Sequence, residues 1–559
     1  MLSRSVVPQG SRTERLLAST VMALGIGLRV AQYLNNRSLW GDEIAVALNL
    51  RLRTFSGLFH PLSYDQTMPF GLLLLLKAMG SVFGYSEWAL RLPLLLGGCA
   101  LTVLAWFLYH RIFEQRVVLL FAALLAISEP LIYYSGEVKQ YGLDALVTLL
   151  VLWAAITTLR SENSRGWPRL IVTGMAALLF SQPVIFILAA IGGAAVYDRR
   201  FRSSSEWRKN ALLAAIVWLL GFGLLYWLSY RGVSHNAFMR AYWEPKFLDP
   251  HVTGFRQHLA TALIVLLGDT QILWIPKLLL CALFVAGVLG IASKMGLPFA
   301  GLAVAPFALV LLASSLRQYP IVVRLVLFLA PVLFWIYANG FATLADLVPE
   351  RSSNLVFILL ASLFLLPSLT HAWHFRQREG SRDVVRKIEN QNKTAAVYVV
   401  FGHYASWEYY AGDWSHPDLI KQRIDLADRC LREAQLGYAI ERDERGGICP
   451  HLDFQGSNRR PVEIVGTPPP GPWNGEAADQ QWLHQEASKI VSSSEPLVWL
   501  FLPDQANHVT YGFPEQRRLL EKLETELNRE GCQTSERDAK GETRAIQLRC
   551  PSQRASNNP

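Results

Sequence analysis

The stretch "LLASTVMALGIGLRVAQYLNNRSLWGDEIAVALN", Leu16 to Asn49, decides the fold. Its first part, Leu16 to Leu34, is an apolar run long enough to cross a hydrocarbon core of about 30 Å. It lacks a small-residue cleavage site and many similar runs follow, so it reads as a retained anchor and not a removable leader. The basic flank, Arg4, Arg12 and Arg15, predicts a cytoplasmic N-terminus and therefore an outer position for the acidic pair Asp42 and Glu43.

Composition carries the same message along the rest of the chain. Of 559 residues, 52% are hydrophobic, only 17% are charged, and 17 are Trp, which describes a membrane protein. The formal charge of +9 lies largely in short segments between apolar runs. That is the positive-inside pattern, and it argues against nucleic-acid binding.

The basic loops "HRIFEQR" (110 to 116), "RSENSRGWPR" (160 to 169) and "DRRFRSSSEWRKN" (198 to 210) are assigned to the cytoplasm. Runs at about 88 to 109, 117 to 134 and 142 to 159 then leave "YSGEVKQYGLD" (Tyr134 to Asp144) outside, on the side of Asp42. The run from Leu170 to Tyr197 has basic loops at both ends and is interrupted by "SQP" (Ser181 to Pro183), which predicts a hairpin of two short helices. One long crossing kinked at the proline is the alternative. Further runs at about 211 to 229, 272 to 292, 297 to 314, 320 to 340 and 353 to 370 bring the expectation to roughly eleven crossings. Met68 to Phe83 fits an interfacial helix better than a crossing, and Gly254 to Gly268 fits either an interfacial helix or part of a span.

After Leu369 the composition becomes that of a soluble domain, which sets the expected boundary at 1 to 371 and 372 to 559. "AAVYVVFGHY" and "PLVWLFLP" read as buried strands, "PEQRRLLEKLETELNREG" as an amphipathic helix ending at Gly531, and "TRAIQLRC" as a last strand. The expected class is therefore a polytopic α-helical membrane protein with a C-terminal α/β domain. Four of the six cysteines fall in this domain, and the shortest loops pair Cys430 with Cys449 and Cys532 with Cys550. Close Cys or His pairs of metal-ligand spacing are absent, and His60, His235, His251 and His258 are scattered through outer segments.

Asp42 follows Gly41 and precedes the helical pattern "EIAVALNLRLR", so it fits a helix N-cap, with Glu43 favoured in the first turn. It also fits a catalytic base, and the pair alone does not separate the two.

Three segments shift the balance: "LRVAQYLNNRSLWGDEIAVALNL", "YDQTMPFGLLLLLKAMGSVFGYSEWALRLPLLLGG" and "SEPLIYYSGEVKQYGLDAL". In order and spacing they resemble the GT-C glycosyltransferases related to protein O-mannosyltransferases, family 39. The resemblance covers about residues 20 to 160, and "RQYPIVVRLVLFLAP" (Arg317 to Pro331) looks like a late element of the bacterial members. It implies a GT-C fold and transfer of a sugar from a polyprenyl-phosphate donor to an acceptor hydroxyl at the outer face of a bacterial inner membrane. It also implies inversion, with a carboxylate after the first helix near the acceptor.

A sugar hydroxyl is a poor nucleophile, so a carboxylate must accept its proton as the new bond forms. Asp42 is the expected base and Glu43 its support. The departing lipid phosphate gains charge, so a cation aimed at it lowers the barrier. Lys139, Arg91 and Arg324 are candidates. Each has a structural alternative: Lys139 paired with Glu137 or Asp144, Arg91 with Glu87, and Arg324 marking the interface.

Glu137, Tyr141 and Asp144 share a helical face and fit sugar hydroxyls. The alternative is a divalent cation held with Asp42, in the manner of the related oligosaccharyltransferases; the branch resembled here implies no cofactor. Gln66 and Tyr64 fit the acceptor opening or plain loop packing, and Lys77 fits snorkelling or phosphate contact. Two other classes fit less well: a transporter or flippase of lipid-linked glycans, and an envelope scaffold acting through its outer domain. The lack of internal repeats and the gathering of charge on one side argue against the first, and the presence of both acidic segments against the second.

Overall fold

A computed structural model describes residues 12–230, 237–250, 254–268, 277–372, 380–391, 395–400, 403–412, 414–418, 420–422, 453–454, 463–466, 475–492, 496–503, 514–540 and 543–551. In the N-terminal part, long apolar helices alternate with short ones. They are α1 (Arg12–Leu34), α2 (Gly41–Leu52), α3 (Phe70–Phe83), α4 (Glu87–Tyr109), α5 (Gln115–Ile127), α6 (Glu129–Tyr134), α7 (Tyr141–Arg160), α8 (Trp167–Phe180), α9 (Val184–Tyr197), α10 (Arg199–Ser203) and α11 (Ser205–Leu225). Helices at Lys277–Met295, Leu297–Ser315, Ala330–Ala345 and Glu350–Ala372 follow. Among the described residues, seven helical segments are long and apolar enough to cross a membrane. Phe70–Phe83, Gln115–Ile127, Val184–Tyr197 and Phe255–Leu266 are shorter apolar helices.

The run expected at 117 to 134 breaks at Ser128, because Pro130 supplies no amide hydrogen to continue the ladder. The last carbonyls of α5 would then face hydrocarbon unpaired. Arg29 of α1, fully buried, answers them by donating to the carbonyls of Leu125 and Ala126 at 2.9 and 2.8 Å. A charge inside a span is thus spent on a helix end.

α8 and α9 form the hairpin. Arg169, at the start of α8, donates to Thr157 near the C-terminal end of α7, and Arg200, after α9, donates to the carbonyls of Leu159 and Ser161 at that same end. Ser181, between the two helices, lies beside Asp144 at the opposite end of α7. The chain therefore runs up and back along α7, and each 14-residue arm is only about 21 Å long.

Ser381–Gln391 opens the C-terminal domain, which is built on a six-stranded sheet in the order β2-β3-β1-β4-β6-β5. The strands are β1 (Ala396–Val400), β2 (Asp453–Phe454), β3 (Glu463–Gly466), β4 (Leu497–Pro503), β5 (Gln533–Lys540) and β6 (Thr543–Arg549). β1 pairs in parallel with β3 and β4; the other pairings are antiparallel. Alternation along β1 and β4 splits the core in two. Tyr398, Val498 and Leu500 face helices Gly475–Val491 and Pro514–Arg529, while Val397, Trp499 and Phe501 face Ser381–Gln391 and Tyr404–Ala411. Cys532 and Cys550 form the expected disulfide; Cys430 and Cys449 lie outside the described residues.

The two parts share a hydrophobic cluster. Leu39, Ile44, Leu48 and Leu58 of the first interhelical segment pack with Tyr409 and Ile420 of the C-terminal domain.

Candidate active site

The segment leading into α2 is fixed by buried charge. Glu43 has no solvent exposure, and its carboxylate accepts from Arg37 at 2.9 Å, from Arg91 at 2.8 and 3.1 Å, and from the Val138 amide at 2.7 Å. It also reaches back to the Trp40 amide at 3.3 Å. Burial penalises the ionised form of Glu43, but Arg37, Arg91 and the Val138 amide more than offset this and hold its carboxyl below the usual range.

Trp40, not Asp42, is therefore the N-cap residue, and Glu43 closes the helix start from the third position. The cap expected of Asp42 is corrected: its carboxylate is released from that duty. The Asp42 side chain is 31% exposed and lies 3.5 Å from the Arg324 guanidinium. Arg324 sits 5.7, 5.9 and 5.5 Å from the ring centres of Trp40, Tyr141 and Trp243.

Glu43 also positions the second acidic segment. By holding the Val138 amide it brings Glu137 and Lys139 alongside α2, and Arg37 bridges to Glu137 at 3.4 Å. Lys139 is buried, donates to the Gln66 side-chain carbonyl, and lies within the fields of Asp42 and Arg324. Burial lowers the Lys139 pKa, Asp42 opposes that shift, and Arg324 adds to it. Gln66 is set by a turn in which Tyr64 and Asp65 both have positive φ, 62° and 53°. Tyr141 opens α7 beside this group.

The predicted residues thus divide. Asp42, Lys139, Arg324, Tyr141 and Gln66 come together, with Glu137 behind them. Glu43 and Arg91 form the frame. Arg91 is 2% exposed, and besides Glu43 it donates to the carbonyls of Arg37 and Ser38, which leaves it no free face for phosphate. Asp144 lies one turn further along α7, 3% exposed, beside Ser181. Lys77 is tied to the Leu50 carbonyl and the Tyr85 hydroxyl, at 2.7 Å each, in place of snorkelling. His60 and His258 are exposed, and His235 and His251 lie outside the described residues.

Asp42 lies near two cationic side chains, and Glu137 is engaged by Arg37. Among the described residues, the carboxylate and imidazole groups of three that converge are His484, Glu526 and Glu530 in the C-terminal domain.

Sequence reasoning assigned no role to Arg37, Trp40, Trp243 or Arg382. Arg37 was legible as the basic member of "RSLWGDE". Arg382 was not, because its partners are remote in sequence: it pairs with Glu87 at 3.1 Å and donates to the Asn36 carbonyl at 2.7 Å.

Residues 67–227 match the model of the dolichyl-phosphate-mannose-protein mannosyltransferase family. Over that segment, a little under a third of its length, the chain is similar to that family. The match agrees with the resemblance read from the motifs and supports glycosyl transfer as the class of chemistry. None of the curated proteins matches the chain. Among solved structures, the oligosaccharyltransferase of Archaeoglobus fulgidus is 16% identical with a TM-score of 0.47, covering 71% of this chain and 61% of its own. This chain thus spans about three fifths of that protein. ArnT from Cupriavidus metallidurans, solved with undecaprenyl phosphate, is 13% identical with a TM-score of 0.44, covering 96% of this chain and 98% of its own.

Proposed function

We propose that this protein transfers a sugar from a polyprenyl-phosphate donor to a hydroxyl of a glycan, lipid or protein acceptor, with inversion. The observation that carries the reading is the partly exposed Asp42 carboxylate, flanked by Arg324 and Lys139, on a frame locked by buried Glu43. Asp42 accepts the acceptor's proton as the hydroxyl oxygen bonds to the anomeric carbon. Lys139 and Arg324 face the phosphate as the bond to the lipid carrier breaks. Tyr141, Gln66 and the deeper Glu137 and Asp144 orient the sugar and acceptor, and the reaction needs no cofactor. The charge pattern supports an orientation in a bacterial inner membrane with a cytoplasmic N-terminus and the site and C-terminal domain outside.

The test is sugar transfer from polyprenyl phosphate by purified protein, read by mass. Asp42→Asn is expected to keep the thermal stability of the wild type and to lose transfer by at least about a hundredfold, the scale of general-base removal. Unimpaired transfer would remove Asp42 from the role of base. Mass analysis of envelope glycans and lipid-linked sugars from a deletion strain identifies the sugar and acceptor.

A further inference from the structure

A crevice of about 700 Å³ lies between the last turns of α4 and α7. From Tyr141 to Arg160 the axis of α7 rises roughly 29 Å, so the crevice is a bilayer thickness away from Asp42. Phe107 and Trp153 give it apolar walls, and His110, Arg111, Thr157 and Arg160 give it a polar end. No acidic side chain lines it. Arg169 adds a further cation at the rim, bonded to Thr157 at 2.7 Å and lying 4.7 Å over the Trp153 ring.

Three other cations at this end of the helices have carboxylate partners. Arg116 meets Asp346 at 2.6 Å, Lys294 meets Glu114 at 2.9 Å, and Arg200 meets Asp198 at 2.7 Å. Those of the crevice do not: Arg160 donates to the Ile112 carbonyl, and Arg111 makes no ion pair with a described residue. Glu162, the nearest acid in sequence, is exposed and outside the crevice. Phe107, 56% exposed, continues the apolar wall onto the outer surface of the helices. The ligand that satisfies both ends carries an anionic head and hydrocarbon.

We propose that this crevice binds the phosphate headgroup of an anionic phospholipid from the leaflet opposite the sugar-transfer site. Arg111 and Arg160 meet the phosphate, Thr157 holds Arg169 at the rim, and Trp153 and Phe107 flank the glycerol and upper chains. The site is separate from the donor site and does not depend on the proposed reaction.

Native mass spectrometry of the full-length protein, titrated with phosphatidylglycerol or phosphatidylcholine, tests it. Phosphatidylglycerol is expected to be retained in preference. Arg111→Gln should weaken that retention about fivefold, and addition of Arg160→Gln about twenty-fivefold, with phosphatidylcholine unaffected. Arg160 also bonds a backbone carbonyl, so the exposed Arg111 is the decisive position. Equal retention of phosphatidylglycerol by wild type and Arg111→Gln overturns the proposal. So does its displacement by millimolar inorganic phosphate, which would assign the crevice to a soluble anion.

Discussion

Successive helical residues point about 100° apart, and that single step separates Asp42 from Glu43. Glu43 turns inward to five donor contacts from Arg37, Arg91 and two backbone amides; Asp42 turns toward Arg324 and the opening. Replacement of Glu43 by Gln leaves two buried guanidinium groups short of a counter-charge. It should cost about 3–5 kcal/mol of stability in thermal unfolding, where Asp42→Asn costs little. Because the folded pKa of Glu43 is depressed, its contribution is present above about pH 4.3 and is lost as pH falls through the folded value. Lys139 has the opposite consequence for turnover. Burial lowers its pKa, so the charge proposed to meet the phosphate disappears on the alkaline side earlier than for an ordinary lysine. A pH profile of transfer should therefore fall below the usual lysine range, and Lys139→Arg should carry that limb upward. The acidic pair and the lysine were legible in the sequence as residues. Their division of labour was not, since it depends on side-chain direction and on an amide 95 positions away.

Helices Lys277–Met295 and Ala330–Ala345 cross closely because small residues face backbone. A Cβ on Gly287 would sit 2.0 Å from the Ile336 carbonyl oxygen, and one on Gly340 would sit 2.2 Å from that of Leu283. Neither neighbour is a flexible side-chain end that can swing away. Gly287→Val should lower the unfolding temperature by several degrees and reduce the yield of folded protein, as measured in detergent. Charge parity of the loops was enough to foresee the α8–α9 hairpin, because both of its ends are basic. Hydropathy alone did not reveal the break at Ser128, since an apolar run looks the same whether or not its backbone ladder continues. The remedy for that break, Arg29, reads in sequence only as an unexplained charge in the first span.

The C-terminal domain is fastened to the helical part through polar contacts around the first interhelical segment. Arg382 pairs with Glu87, and the Tyr410 hydroxyl accepts the Leu39 amide at 2.8 Å while donating to Glu87. Arg382→Ala should lower the unfolding temperature of the full-length protein and lower transfer, with the sheet itself intact by circular dichroism. The α/β nature of the domain was legible from its strand runs and its amphipathic helix. Its seat was not, because no local pattern encodes which surface Arg382 and Tyr410 will meet. This domain also carries its own acid sensitivity. Burial pushes the His403 pKa down to about 4, so the unfolded chain takes up the proton first. Stability should fall between about pH 6.5 and pH 4 in thermal unfolding, and His403→Leu should flatten that slope.

The links from Arg382 to residues 87 and 36 span 295 and 346 positions of chain. During synthesis the turn that presents Asp42 is therefore made long before Arg382 and Tyr410, which fasten it, leave the ribosome. A message truncated after the final span would therefore yield a helical body in which this turn lacks that brace.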